Sequence, residues 1–401
     1  MPRCELSGFS ASRAPVLPSG APCTSWPEGE QGEGTVPNVG RMRKSVDRYR
    51  GALVHHSVWR SLGFHTRHLA SEDFTTVFPG YQTLTDHPAL LNSMAWVLQN
   101  RVEPGSVLSH TTAALFLGMP FPLRLDGGIS ALRDQELFEA DGVERIPSLL
   151  PGASLRTGAS LPILHARVER GGTSGVARGA VVHRLLPGPT TAVGQLTVSA
   201  PSEVLRELAT MMPLWDVVAA ADAVVGPRSR CPGESLESMA GAVSAARGRP
   251  GTPRALEALG LARPRVRSPG ETIFRLLLDA AGFPRPSLNL PVTVPRTGST
   301  KEIDLAWEEI GFGLEYDGDG HRRTKGQWRE DEARRDELAS RGWTLSRANG
   351  EDLLRPTRIL LRIGRTMEER GLRAPTEERI RRVVAEVGAR GLSMRIARRQ
   401  R

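Results

Sequence analysis

The sequence is poor in cysteine and has no long apolar run. Its 401 residues include three cysteines, Cys4, Cys23 and Cys231, and no two of them have CxxC spacing. This argues against a cysteine-rich zinc site and favours a reducing compartment. No apolar run reaches the roughly 18 residues of a membrane-spanning helix, and the N-terminus lacks the apolar core of a signal peptide. We therefore expect a cytoplasmic protein without a membrane partner.

The net charge of +9 is concentrated at one end of the chain. Residues 355–401 contain 14 arginines, no lysine and 5 glutamates, a balance of +9, whereas the other residues contain 39 basic and 39 acidic groups. Arginine matches the geometry of phosphate oxygens. Residues 369–401 are therefore predicted to form an arginine-rich helix or tail that binds DNA, with a solvated helix face as the alternative.

The N-terminal half is predicted to be α+β. Residues 1–45 are rich in Pro, Gly, Ser and Glu and predict a disordered segment, within which Met42 is a candidate start of the protein. Residues 46–86 predict a degenerate winged helix-turn-helix: a helix over 47–62, a short helix near 66–70, and a hairpin turning at Pro79-Gly80. Any small α+β unit would show this pattern.

Residues 87–226 are predicted to form a mixed α/β region. Two helices come first, the second with Ser109 as its N-cap, followed by β-like runs over 160–199 and helices opened by Pro201 and Pro213. His110 is a candidate catalytic residue, although a histidine in the first turn of a helix is more often structural. Residues 227–267, rich in Gly, Pro, Arg and Ala, predict a connector with one or two short helices.

Two stretches of this half resemble a known family. "GSVLSHTTAALFLGMPFP" and "LTVSAPSEVLRELATMMPLWDVVAAADAVVG" are similar to AbiEi-type antitoxin and regulator proteins of high-GC actinobacteria, over about residues 50–226. The resemblance implies an N-terminal helix-turn-helix that binds DNA, and a cognate toxin or a second copy of the chain as a partner. The chain departs from the family in "HTRHLASEDFTT", where Glu72 and Asp73 interrupt the usual basic run.

Acidic residues interrupt two apolar strands in "EIDLAWEEIGFGLEYDGDGH". If the turn centres on Glu309 and Ile310, facing residues have numbers that sum to 619, and Asp304 falls opposite Glu315. Directly opposed residues have Cβ atoms roughly 4.5–5.5 Å apart, and like charges at this separation repel each other. A divalent cation between the two carboxylates would turn this repulsion into binding. Asp317 lies two residues beyond Glu315 and shares its face. A one-residue slip in the turn would remove the direct opposition of the first two acids.

A helix is predicted before this hairpin, with Ser268 as N-cap, Pro269 at its first position and Glu271 at its third. Glu271 either completes a capping box or faces the acids of the hairpin. Downstream, a helix is predicted over 325–340, then a strand at "WTLSRA" and a closing helix at "DLLRPTRILLRIGRTMEERG". The predicted order is helix, β-hairpin, helix, strand, helix.

The motifs "SPGE", "IDLAW", "LEYDGDGHR", "QWREDEARRDEL" and "GW" resemble domain-of-unknown-function family 559, a very-short-patch-repair endonuclease-like branch of the PD-(D/E)xK nucleases. The resemblance covers residues 268–368 and implies an α/β restriction-endonuclease-like fold. It implies one or two Mg²⁺ or Mn²⁺ ions bound by Asp304, Glu315 and Glu271, with Asp317 and His321 completing the catalytic set. The position two residues after the second acid usually holds lysine and is Asp317 here. Lys325 could replace this lysine, or His321 could transfer the proton, as a histidine does in the very-short-patch branch.

Taken together, these patterns predict a DNA-binding protein with a metal-dependent endodeoxyribonuclease domain. The basic residues predicted to contact DNA are Arg322, Arg323, Lys325, Arg329, Arg362 and Arg365. The alternative is a non-catalytic, antitoxin-like transcriptional regulator that retains a degenerate nuclease fold.

Overall fold

The computed structural model describes residues 46, 49–122, 125, 129–130, 154–155, 164–169, 179–293, 298, 300–317 and 333–389. In these ranges the chain is mixed α and β, with four sheets and two main apolar cores. None of the helices in the described ranges has the length and apolarity needed to cross a membrane. The segment predicted to be disordered, 1–45, lies outside the described residues.

The N-terminal unit is a three-stranded sheet against two short helices, packed around the fully buried Trp59. Its elements are β1 (Val54–His55), α1 (His56–Ser61), α2 (Thr66–Leu69), β2 (Phe74–Phe78) and β3 (Tyr81–Leu84). The sheet order is β1-β3-β2, and the hairpin turns at Pro79-Gly80 as predicted.

The helix predicted over 47–62 is wrong for much of its length. Gly51 has a left-handed backbone, with φ of +72°, and its N–H and C=O bond to residues 87 and 90 instead of to a helix. Val54 and His55 then pair with strand β3. The glycine therefore ends any helix, and helical structure resumes at His56.

A five-stranded sheet forms the centre of the N-terminal half. Helix α3 (Leu91–Val97) continues as a π-helical turn, Leu98–Val102, and helix α4 (His110–Leu117) ends at Gly118. The strands are β4 (Val107–Leu108), β7 (Leu164–Glu169), β8 (Ala180–Leu185), β9 (Thr190–Val193) and β10 (Leu196–Ser199), in the order β8-β7-β4-β10-β9. A separate short ladder joins β5 (Ile129–Ser130) and β6 (Ser154–Leu155).

Four helices cover this core: α5 (Pro201–Leu208), α6 (Leu214–Val225), α7 (Leu236–Ala245) and α8 (Thr252–Leu261). Helices α7 and α8 lie in the segment predicted to be a connector with one or two short helices. Their apolar residues Met239, Val243, Ala255 and Ala258 are buried in the same core as α5 and α6. The segment 227–267 is therefore packed as part of the N-terminal core.

The C-terminal half is a four-stranded sheet flanked by helices. Its elements are α9 (Pro269–Ala281), β11 (Ser287–Thr293), β12 (Thr300–Trp307), β13 (Phe312–Asp317), α10 (333–339), β14 (Thr344–Asn349), α11 (Gly350–Leu354), α12 (Thr357–Glu369) and α13 (Glu377–Ala389). The sheet order is β11-β12-β13-β14, with β13 and β14 parallel.

Two features of this half differ from the predicted order. Strand β11 was not part of the predicted order. It contains Pro291, whose missing N–H is tolerated because β11 is an edge strand. The closing helix is divided into α11 and α12 at Pro356, whose ring cannot continue a helix. Helix α13, from the arginine-rich end, buries Ile380 and Val387 in the second core.

The two halves are joined by a buried polar contact. Asp222 of α6 accepts hydrogen bonds from Thr272 Oγ1 (2.8 Å) and Arg275 Nη2 (3.1 Å) of α9. Its other oxygen accepts the N–H of Arg263 at 2.6 Å. Trp215 of α6 packs against both cores. The interface between α6 and α9 is therefore partly apolar and partly ionic.

Candidate functional site

The β12–β13 hairpin has the predicted register. The paired residues are Leu305 with Leu314, Ala306 with Gly313 and Trp307 with Phe312, and each pair sums to 619. The turn is a 3₁₀ segment, Glu308–Ile310, that closes at Gly311 with a left-handed φ of +56°. Continuation of this register by one residue brings Asp304 opposite Glu315.

The opposition extends into a polar row that crosses the whole sheet. Leu288 and Leu290 of β11 pair with Leu305 and Ile303 of β12, so Asn289 falls opposite Asp304. On the other side, Glu315 pairs with Arg347 of β14. The row therefore runs, one residue from each strand, through Asn289, Asp304, Glu315 and Arg347.

Glu271 reaches this row from the first turn of α9. Its Oε2 accepts hydrogen bonds from Asn289 Nδ2 (2.9 Å) and from the N–H of Arg267 (3.1 Å), and its Oε1 accepts from Ser268 Oγ (2.8 Å). Ser268 in turn caps the helix by accepting the N–H of Glu271. Glu271 therefore faces the acids of the sheet, and it does not complete a capping box, because its side chain accepts the N–H of Arg267 and not that of the N-cap Ser268.

The pKa of Asp304 is strongly raised in this row. Burial, followed by the negative charge of Glu271, raises the pKa of Asp304 to about 7, and Glu315 adds to this effect. The N–H of Tyr316, which donates to Asp304 Oδ2 at 2.8 Å, acts in the opposite direction. The fold thus holds carboxyl groups together at the cost of making one of them harder to ionise.

Two arginines lie beside Glu315. Arg334 Nη2 of α10 is 2.8 Å from Glu315 Oε1, and Arg347 Nε is 3.9 Å from Oε2. The contact with Arg334 is an ion pair that lacks hydrogen-bond geometry. Asn289 Oδ1, at the other end of the row, is buried and has no hydrogen-bond partner.

The carboxylates share an electrostatic field without forming a compact ligand set. Within the described ranges, three ligand atoms of His, Cys, Asp or Glu lie within 4.8 Å of one another at His110, His165 and His183, and not at the acids. Asp317 lies two residues beyond Glu315 on β13, where it pairs with Asn349. The row is therefore acidic at its centre and flanked by arginine at one end.

Several of the predicted residues cannot be placed in this geometry. His321, Arg322, Arg323, Lys325 and Arg329 lie outside the described residues.

Arg362 and Arg365 are exposed on α12, and Arg358 shares their face. Arg362 Nη2 donates to the backbone oxygen of Arg347 at 2.9 Å, so this basic face adjoins the arginine end of the polar row.

Sequence reasoning missed Asn289, Arg334 and Arg347 as members of the site. Asn289 lies in "SLNLPVT", whose alternation predicts a strand once Pro291 is accepted at a sheet edge. Arg334 and Arg347 could not be selected among the chain's many arginines, because their proximity to Glu315 depends on which strand pairs with β13.

Comparison with known proteins gives distant relatives. No protein-family model matches the chain. Two proteins from strains of Mycobacterium tuberculosis, "Uncharacterized protein MT2308" and "Uncharacterized protein Rv2248", are each 28% identical over 191 residues, which is 47% of this chain and 69% of the relative. The crystal structure of the RV2827C protein from the same species is similar with a TM-score of 0.30 and 14% identity, over 65% of this chain and 90% of that one.

Proposed function

We propose that the protein binds DNA and hydrolyses phosphodiester bonds at the polar row of the C-terminal sheet. The observation that carries the proposal is the opposition of Asp304 and Glu315 beside Glu271 in a largely buried setting. Without a bound cation this arrangement is unfavourable, because each carboxylate makes the other harder to ionise. It becomes favourable when a divalent cation is bound.

The oxygen ligands of the row are of the type that Mg²⁺ and Mn²⁺ prefer, and a bound ion would draw them together. Hard divalent cations take oxygen ligands from carboxylates and amide carbonyls, and the row offers the carboxylates of Asp304 and Glu315 together with Asn289 Oδ1, a buried oxygen without a hydrogen-bond partner. Asp304 and Glu315 would hold one or two ions, with Glu271 beside them. When bound, the cation would polarise a scissile phosphate and lower the pKa of an attacking water.

The chain's own residues supply positioning and charge. Arg334 and Arg347 would contact a phosphate brought to Glu315, since guanidinium groups match phosphate oxygens. Asp317 lies at the end of the same strand, where it would orient a water molecule. His321 would handle the proton, because the position that usually holds lysine is Asp317 in this chain.

The basic face of α12 would hold the DNA backbone next to this site. Arg358, Arg362 and Arg365 are exposed and adjoin Arg347, so phosphates on this face would lead towards the acids. Arg322, Arg323, Lys325 and Arg329 would extend the contact. A cytoplasmic location, and a toxin or a second copy of the chain as a further partner, belong to the same proposal through the resemblances described above.

One observation favours a second candidate, a non-catalytic DNA-binding regulator. Both oxygens of Glu315 face arginines, Arg334 and Arg347, and two positive charges there satisfy the carboxylate without a metal. In this case the nuclease fold would be a scaffold, and DNA would be bound by the N-terminal helices or by the basic face of α12.

Cleavage assays distinguish the two functions. Purified protein is incubated with plasmid, single-stranded DNA and RNA, each with EDTA, Mg²⁺ or Mn²⁺. Metal-dependent cleavage that is lost in Asp304→Asn and Glu315→Gln supports the nuclease, whereas Glu309→Gln, an exposed acid in the same hairpin, should cleave like wild type. A folded wild-type protein that binds DNA but leaves every substrate intact with every metal supports the regulator.

A further inference from the structure

Three histidines from separate elements meet on one face of the five-stranded sheet. One ring nitrogen from each of His110, His165 and His183 lies within 4.8 Å of the others. His165 Nδ1 and His183 Nε2 are 2.8 Å apart, and the rings of His110 and His183 are stacked with centroids 3.8 Å apart. The cluster is distinct from the acidic row, which belongs to the other sheet.

The sheet register explains why these side chains converge. His165 of β7 pairs with Val181 of the parallel strand β8, and His183 lies two residues further along β8. Side chains two residues apart share a face, so His165 and His183 are diagonal neighbours. Strand β4 pairs with β7 on its other side, and the N–H of Ser109 donates to the backbone oxygen of His165. His110 therefore leaves the sheet beside His165.

His110 is held in an unusual backbone conformation. Its φ is +49°, in the left-handed region that residues other than glycine rarely adopt. The buried carboxylate of Glu207 accepts its N–H at 2.8 Å. Strain of this kind persists where the surroundings impose it, and it is concentrated at functional sites.

His110 Nδ1 faces the side chains of Ser109 and Glu207. It lies 3.0 Å from Ser109 Oγ and 3.9 Å from Glu207 Oε2. Metal-binding histidines commonly direct one ring nitrogen to a carboxylate or another oxygen, which orients the ring and leaves the second nitrogen for the metal. For His110 this leaves Nε2.

The buried setting of the three rings favours the neutral form of imidazole. Burial lowers the pKa of His110 to about 2 and that of His165 to about 4, and burial also lowers the pKa of His183. Neutral imidazole is the form that coordinates metals.

We propose that His110, His165 and His183 form a mononuclear site for a divalent transition-metal ion of the zinc class. Imidazole nitrogens suit Zn²⁺, Cu²⁺, Ni²⁺ and Fe²⁺, and are poor ligands for Mg²⁺. Three protein ligands leave a fourth position for water or a small ligand. The ion would replace the hydrogen bond between His165 and His183, whose nitrogens would separate to about 3.3 Å around a tetrahedral ion with bonds of about 2.0–2.1 Å.

Such an ion would connect the start of α4 to β8, the edge strand of the sheet. His165 and His183 are half-buried, so an ion can reach them from solvent. Binding to the folded state alone would raise the melting temperature.

The test uses the full chain, purified without a polyhistidine tag and stripped with EDTA. Co²⁺ titration followed by visible absorption, and Zn²⁺ titration followed by melting temperature, are carried out in excess Mg²⁺, so that the acidic row is already occupied, and each should saturate at one equivalent. Glu309→Gln, an exposed acid that belongs to neither site, should bind Co²⁺ and Zn²⁺ like wild type.

Two variants and one spectrum decide the outcome. His183→Gln should weaken Zn²⁺ binding at least tenfold and abolish the Co²⁺ bands, whereas the double variant His65→Gln/His68→Gln, which changes an exposed histidine pair, should bind like wild type. Equal binding by folded His183→Gln, or no stoichiometric binding by wild type, overturns the site. If His183→Gln does not fold, X-ray absorption of the wild-type protein with one equivalent of Zn²⁺ decides instead: three imidazole ligands support the site, and their absence overturns it.

Discussion

Gly270 lies so close to Tyr316 that a Cβ at position 270 would fall 1.9 Å from Cε1 of the tyrosine ring. The contact brings the first turn of α9 down onto strand β13. Since Glu271 follows Gly270 and Glu315 precedes Tyr316, this approach is what places one acid of the site next to the others.

We predict that Gly270→Ala destabilises the protein by about 1–3 kcal/mol, the usual cost of overpacking. Tyr316 or the helix must move to accommodate the methyl group. Gly241→Ala is the matched control, because Gly241 lies in α7 with nothing within 4 Å of its added Cβ. There alanine should stabilise the protein by about 0.5–1 kcal/mol. Urea unfolding measures both, and a stabilising effect of Gly270→Ala would contradict the close packing.

We predict that Asp304→Asn stabilises the metal-free protein at pH 8 and has little effect near pH 3. The pKa of Asp304 is raised from 3.8 to about 7, so between these values the folded protein retains a proton that the unfolded chain has lost. Stability therefore falls as the pH rises through this window, and asparagine removes the dependence. The gain at pH 8 should be on the order of 1–2 kcal/mol, reduced from the full shift by solvent screening.

The measurement is the melting temperature in EDTA from pH 3 to pH 8, for wild type and Asp304→Asn. Glu309→Gln, in the exposed turn of the same hairpin, should follow the wild-type curve. A difference between Asp304→Asn and wild type that stays constant across the range would show that Asp304 does not titrate in this window.

We predict that Asp222→Ala destabilises the protein by about 3–5 kcal/mol, since it leaves the buried Arg275 without its counter-charge. Replacing both partners, in Asp222→Ala/Arg275→Met, should cost less than the single change. The control is Glu377→Ala, which breaks the exposed pair with Arg381 and should cost less than about 1 kcal/mol. Denaturant unfolding measures all three, and a cost for Asp222→Ala equal to that of Glu377→Ala would mean that the α6–α9 contact does not stabilise the fold.

We predict that Arg362→Gln/Arg365→Gln weakens DNA binding and lowers its dependence on salt. Each lost phosphate contact reduces the slope of log affinity against log salt by about 0.9, so the slope should fall by about 1–2. The control Arg228→Gln/Arg247→Gln removes the same charge from exposed positions of the N-terminal half. Fluorescence anisotropy at several salt concentrations compares them, and equal slopes for the two variants would place the DNA contact elsewhere.

The contribution of the arginine-rich end requires a specific truncation. Ending the chain at Gly371 would remove Ile380 and Val387 from the second core, so lost binding could reflect unfolding. Ending it at Ala389 retains α13 and removes five arginines, Arg390, Arg395, Arg398, Arg399 and Arg401. If these residues bind phosphates, the salt slope falls while the melting temperature stays the same.

Local sequence was sufficient to predict those elements that depend only on interactions between residues close together in the chain. The register of the β12–β13 hairpin followed from the position of its turn, because a turn fixes which residues of its two strands face each other. The start of α9 followed from Ser268 and Pro269, which satisfy the unpaired groups of a first helical turn. The opposition of Asp304 and Glu315 could therefore be predicted from about a dozen consecutive residues.

The tertiary structure decided everything that depends on which distant segments become neighbours. Strand order brings Asn289 and Arg347 into the polar row from opposite edges of the sheet, and the parallel pairing of β7 with β8 brings His165 and His183 together. Spacing along the chain carries no such information, because strand order is set by the burial of apolar faces from segments far apart in sequence. For the same reason His110, which resembles an ordinary first-turn histidine in the sequence, acquires its partners and its left-handed backbone only when β4, β7 and the helix that bears Glu207 pack together.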